Sequence, residues 1–86
     1  MKVLLSSIAK NDIRLLVRVF NAEKESKKGN DFLEKLQKSI DGILQVQNQE
    51  TKSGEISVWP MLDFPVNIHY TFEDEENLLI TAVFKN

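Results

Sequence analysis

The side chains that could move a proton or meet an anion are few, and their types narrow the chemistry at once. The chain has one histidine and no cysteine. Disulfides and thiolate chemistry are therefore excluded, and a structural zinc site lacks its usual ligands. Neither a metal nor any other cofactor is expected. His69, with an ordinary pKa near 6.5, could act as a general acid or base. A lone histidine on the wet side of a strand is equally an ordinary surface residue. Glu73-Asp74-Glu75-Glu76 looks like a set of paired carboxylates, yet consecutive acids alternate in direction and lack the glycine and ligand spacing of a calcium loop. The run reads as a solvated turn that discourages edge-to-edge strand association. Glycines at 29, 42 and 54 are too scattered to cradle a phosphate. Arg14 and Arg18 are the only arginines. Four residues apart on a helix, they repel by about a few tenths of a kcal/mol. They either coat a solvated face or contact a partner or phosphate, because a planar guanidinium suits anions. Trp59 and Met61, on either side of Pro60, belong either to the core or to a partner-binding groove, where tryptophan concentrates binding energy.

The elements that must position these residues are legible from periodicity. Val66, Ile68, Tyr70 and Phe72 fall on one side of an extended chain and Asn67, His69 and Thr71 on the other, the period-two pattern of a half-buried strand. After the acidic turn, Leu78 to Phe84 contains no polar residue except Thr81 and reads as a more central strand, apolar on both faces. Together they form an antiparallel hairpin. Upstream, Lys2 to Ser6 predicts a short opening strand, and Ser6 or Ser7 can cap the helix that follows. Ile13, Leu16, Val17 and Phe20 mark one face of that helix, with Asp12 early in it, where the dipole favours an anion. The charged stretch Glu23 to Gly29 is expected to end the first helix, with Gly29 at its left-handed terminus. Asn30 or Asp31 would then cap a second helix striped by Phe32, Leu33, Leu36, Ile40, Ile43 and Leu44. Gly42 inside that helix costs about 1 kcal/mol relative to alanine. Gln45 to Gly54 reads as a loop and Glu55 to Trp59 as a strand that Pro60 confines to an edge.

The order β-α-α-β-β-β describes an α+β domain in which a helical hairpin lies on a small, mostly antiparallel sheet. Eighty-six residues make a single domain spanning 1–86, large enough for one modest core. No run of about 18 apolar residues is present, so no membrane-spanning segment is expected. The opening residues carry one charge and too short an apolar run for a secretory signal, which points to the cytoplasm. Charge is divided unevenly. Residues 1–40 carry nine Lys/Arg against five Asp/Glu, a balance of +4, whereas residues 41–86 carry two against eight, a balance of −6. A C-terminal half that grips nucleic acid would carry the opposite sign, so nucleic acid is disfavoured as a partner.

Three short motifs in this order resemble the RelE/ParE toxin superfamily of bacterial type II toxin–antitoxin modules over nearly the whole chain. Ser6, Ala9 and Asp12 match its opening Ser-x-x-Ala-x-x-Asp. Phe64-Pro65-Val66-Asn67-Ile68-His69-Tyr70 is similar to the Phe-Pro-Tyr-x-Ile-x-Tyr segment of the ParE-like branch. Ala82-Val83-Phe84 is similar to the closing Ala-Val-Phe-His. The resemblance implies a toxin, associated with plasmid stabilisation, that binds a protein target, DNA gyrase, and is neutralised by a cognate antitoxin. For the RelE branch it implies a messenger RNA endoribonuclease, whose basic residues stabilise the charge developed in phosphoryl transfer. Here the arginine expected three residues before the strand tyrosine is Asn67. The positions after Ala-Val-Phe are Lys85 and Asn86. Only His69, Tyr70 and Lys85 remain as catalytic candidates. Three alternatives stay open: a ParE-like toxin with Arg14, Arg18, Trp59 and Met61 as partner-contact candidates, a weak RelE-type nuclease, and a non-toxic relic that keeps its partner contact.

Overall fold

The computed structural model describes residues 2–22, 28–46 and 55–85. Its elements run β1 (Lys2–Leu5), α1 (Ser7–Asn21), α2 (Lys28–Gln45), β2 (Ser57–Pro60), β3 (Val66–Phe72) and β4 (Asn77–Lys85). The sheet order is β1-β4-β3-β2. β3 pairs antiparallel with both β4 and β2, and β1 lies parallel to β4. This is the α+β arrangement expected. β4, the most continuously apolar strand, lies between β1 and β3, and the proline-ended β2 is an edge. The second placement follows from the rule that a residue without an N–H suits a sheet margin.

One face of the sheet carries the core. Val66, Ile68, Tyr70 and Phe72 of β3, with Leu78, Ile80 and Val83 of β4, bury against Leu16 and Phe20 of α1 and Phe32, Leu36, Ile40 and Ile43 of α2. Phe64 completes this layer. Its ring lies 4.9 Å from Phe20 and 5.5 Å from Phe32, and those two lie 5.1 Å apart. Such tilted aromatic pairs contribute about 0.5–1.5 kcal/mol beyond the area they bury. The chain reaches this cluster by a tight turn in which Val66 N–H donates to Phe64 O at 2.7 Å and Met61 N–H to Val66 O at 2.9 Å. Pro65 is exposed and its missing N–H leaves nothing buried unpaired. The Phe-Pro segment is thus a packing device.

A second device locks α1 to β4. Strand β1 ends level with Ile80, so Thr81 and Val83 lose their neighbour on that side. Residues of α1 replace it. Ser6 caps the helix by accepting from Ala9 N–H at 3.0 Å, and its hydroxyl donates to Thr81 O at 2.7 Å. Asp12 Oδ2 accepts from Val83 N–H at 3.1 Å. Ala9 between them is fully buried, since only a small side chain permits the approach. The register shifts here as well. Tyr70 faces Ile80 while His69 faces Ala82, leaving Thr81 unpaired as a bulge residue. Its Oγ1 donates to His69 O at 3.1 Å. Bulges interrupt a ladder, and Ser6 and Asp12 satisfy the groups that this interruption and the end of β1 release.

Four expectations need correction. Gly29 does not end α1; it lies in the first turn of α2, which begins at Lys28 instead of after Asn30 or Asp31. Its role is close approach. Gly29 N–H donates to Asn21 Oδ1 at 3.0 Å, and a Cβ at Gly29 would come within 2.4 Å of that oxygen. Ser6 is a cap and not the last residue of β1. β2 starts at Ser57 and not Glu55. Thr71, expected to face water, is buried, and its Oγ1 has no hydrogen-bond partner among the described residues. Most of the expected link after α1 (residues 23–27) and most of the loop after α2 (residues 47–54) lie outside the described residues.

Candidate functional site

The uncovered face of the sheet is where the resemblance would put catalysis. Cross-strand registers place Asn67 opposite Phe84, His69 opposite Ala82, Thr71 opposite Leu79 and Val58 opposite His69. His69 packs edge-on against Phe84 at 5.0 Å. Leu4, Val58 and Phe84 on this face are exposed. β3 and β4 present no arginine or lysine here. Among the described strand residues the one cation of that parity is Lys2, at the start of edge strand β1. A face of this composition can hold apolar surface but offers little to a phosphate.

The catalytic candidates do not converge. His69 stands on the uncovered face. Tyr70 lies on the opposite face, buried against the helices and 5.9 Å from Phe72. Lys85, opposite Val66, also turns to the helix side, where its Nζ lies 5.8 Å from the centre of the Phe20 ring. A cation over an aromatic face is attracted by the ring quadrupole, so Lys85 closes the aromatic cluster. Its contacts are those of a structural side chain.

The acidic turn is built around Asp74, whose carboxylate accepts from Glu76 N–H at 2.7 Å and from the Asn77 side-chain amide at 3.0 Å. These donors, the backbone bond foremost, hold its carboxyl below the ordinary value of 3.8. No group of three or more His, Cys, Asp or Glu among the described residues could hold a metal ion. The turn remains a turn.

The partner-contact candidates fall in two places. Arg14 and Arg18 are exposed on α1, the helix that covers the β1–β4 side. Trp59 in edge strand β2 and Met61 just after it lie at the other edge of the sheet, beside α2. Met61 is buried in the core and Trp59 packs against it, yet the two also line a cleft of about 410 Å³ with Lys35, Lys38, Leu62 and Asp63. Gly42 makes the packing possible, because a Cβ there would lie 3.0 Å from Trp59 Cζ2. The mid-helix glycine is therefore a seat for the indole. Lys35 Nζ reaches Asp63 Oδ2 at 3.5 Å. Sequence reasoning missed Lys35 and Lys38, which read there as an unremarked solvated face. Their three-residue spacing on the side of α2 toward Trp59 could have been noticed only with Gly42 read as a contact point.

No protein-family model and no curated protein matches the chain. Among solved structures it is similar to a chain described as "Chromosomal ParDE TA system from P. aeruginosa". The TM-score is 0.80 at 11% identity, over 99% of this chain and 95% of the other. The chain thus shares its α+β fold with that chain, and at this identity the likeness is one of fold.

Proposed function

We propose that the chain is the toxin of a bacterial toxin–antitoxin pair, that it acts by gripping a protein target and not by cutting RNA, and that a cognate antitoxin neutralises it. The observation that carries this is the near-complete sharing of fold with a chain of a toxin–antitoxin system. The choice of binding over cleavage is supported by the uncovered sheet face, where β3 and β4 supply Asn67, His69, Thr71, Ala82 and Phe84 and no cation. Stabilising a phosphoryl-transfer transition state needs donors or cations fixed at the reacting oxygens. Arg14, Arg18, Trp59 and Met61 are the proposed partner-contact residues, and the target suggested by the resemblance is DNA gyrase. The place of action is the cytoplasm.

Primer extension on abundant messages during induced expression tests the mode of action. Transcripts are expected to stay intact while DNA breaks and an SOS response appear. New cleavage ends that vanish in a His69→Ala or Lys85→Ala variant would replace this reading with that of a ribonuclease.

A further inference from the structure

Helix α1 carries two unlike rows on its outer side. Lys10, Arg14 and Arg18 recur every four residues and are all exposed, a cationic row about 12 Å long. None of the three has a carboxylate partner among the described residues. The one carboxylate of α1, Asp12, is taken up by Val83 N–H. On the flank of Asp12, at the i, i+4, i+7, i+11 spacing of one helical face, lie Ile8, Leu15 and Val19. All three are exposed, Ile8 at 62%. Val3 of β1 extends this apolar row. It pairs with buried Leu78 and so faces the helix layer, yet it too is exposed. The core stripe of α1 is separate, at Ala9, Leu16 and Phe20, so the outer row is apolar surface that the fold leaves unused.

We propose that this flank of α1 and the acidic turn form one self-complementary surface that binds a second copy of the chain, antiparallel about a two-fold axis. The chain supplies the complementary charge itself. Glu75 and Glu76 are exposed and have no cation partner among the described residues. They stand at the start of β4, where Glu76 O accepts from Lys2 N–H at 2.7 Å. Helix α1 runs toward the other end of that strand: Ser6 meets Thr81, Asp12 meets Val83, and Phe20 lies beneath Lys85. Opposite charges thus sit toward opposite ends of β4, a nine-residue strand about 30 Å long. Two copies laid side by side in opposite directions bring each cationic row to the other's acidic turn, and both contacts form at once. Such an isologous arrangement is the commonest way for identical chains to pair. Val3 and Ile8 lie between the charged ends and come nearest the axis, giving an apolar centre with a charged rim. Arg14 and Arg18 then face the second copy, and any other target reaches them only in the single chain.

Sedimentation equilibrium of the full chain over a range of concentrations and salt tests this. The account expects a dimer that weakens as salt rises. Ile8→Asp, the double reversal Arg14→Glu with Arg18→Glu, and the double reversal Glu75→Lys with Glu76→Lys are each expected to weaken it by about tenfold or more, since each reversal sets like charges against each other. An equal mixture of the two reversed forms is expected to pair as well as wild type, because acidic α1 then meets a basic turn and basic α1 an acidic one. Circular dichroism checks folding, and rescue on mixing cannot come from a misfolded chain. A single-chain mass at every concentration would overturn the proposal, as would a dimer that neither reversal weakens or that mixing fails to restore. A single chain that binds duplex DNA through Arg14 and Arg18 would overturn it too and make the row a phosphate contact. None of these results bears on the toxin reading, which stands or falls separately.

Discussion

At the scale of single residues, Ser6 and Asp12 show how two separate sequence motifs become one contact. Both hold the stretch of β4 that β1 does not reach. Replacing Asp12 with alanine leaves Val83 N–H without its acceptor, and an orphaned donor costs about 1–3 kcal/mol. For a domain of this size that lowers the melting temperature by roughly 5–20 °C, which thermal unfolding followed by circular dichroism would measure. Gly42 makes a sharper case. Helix propensity alone says that Gly42→Ala stabilises by about 1 kcal/mol. Contact with Trp59 at 3.0 Å says the new methyl displaces the indole. The expected outcome is no stabilisation and a shifted tryptophan emission, with the propensity gain recovered in a Trp59→Ala background. A stabilised single variant with unchanged emission would contradict the contact. Asp74 gives a pH test. Its carboxyl is lowered from 3.8 in the folded chain by the Glu76 N–H and the Asn77 amide. The turn's contribution is therefore complete above the ordinary carboxylate value and fades as pH falls through the lowered one. An NMR titration should place the Asp74 midpoint below 3.8, and Asp74→Ala should abolish the low-pH change in the Asn77 side-chain amide signal.

Secondary-structure elements were readable where one period dominated. Alternation in β3 named its buried face correctly at Val66, Ile68, Tyr70 and Phe72, and the unbroken apolar run of β4 announced an interior strand. Thr71 escaped because alternation assigns a face, not a burial. On this sheet the uncovered side is itself apolar enough, with Leu79 opposite, to close over a threonine. Gly29 escaped because glycine near a helix end satisfies two readings, left-handed terminus and close approach, and only the position of Asn21 separates them. The bulge at Thr81 left no mark in the sequence, since an extra residue between two apolar ones preserves a run in which both faces are apolar. The face assignment of Asn67 can be tested directly. Opposite Phe84 and Pro60 on the uncovered side, it should accept arginine with a change within about 0.5 kcal/mol, as surface substitutions do. A large loss of thermal stability in Asn67→Arg would show that the strand's faces are reversed.

For the molecule as a whole, the candidate site was legible in its parts but not in its assembly. Trp59 and Met61 stood out by type, while Lys35 and Lys38 joined them only once α2 was laid against β2. His69, Tyr70 and Lys85 read as a possible set and are divided between the two faces of the sheet. Such a division follows from alternation, because His69 and Tyr70 are consecutive on one strand and cannot share a face. The function proposed above is that of a toxin that works by contact. Growth of a bacterial culture after induction of the chain, alone and with the adjoining reading frame, tests this most directly, with the soluble folded protein verified in both. The account expects arrest on its own and recovery with the second protein. Unimpaired growth at a verified level of folded chain would contradict it.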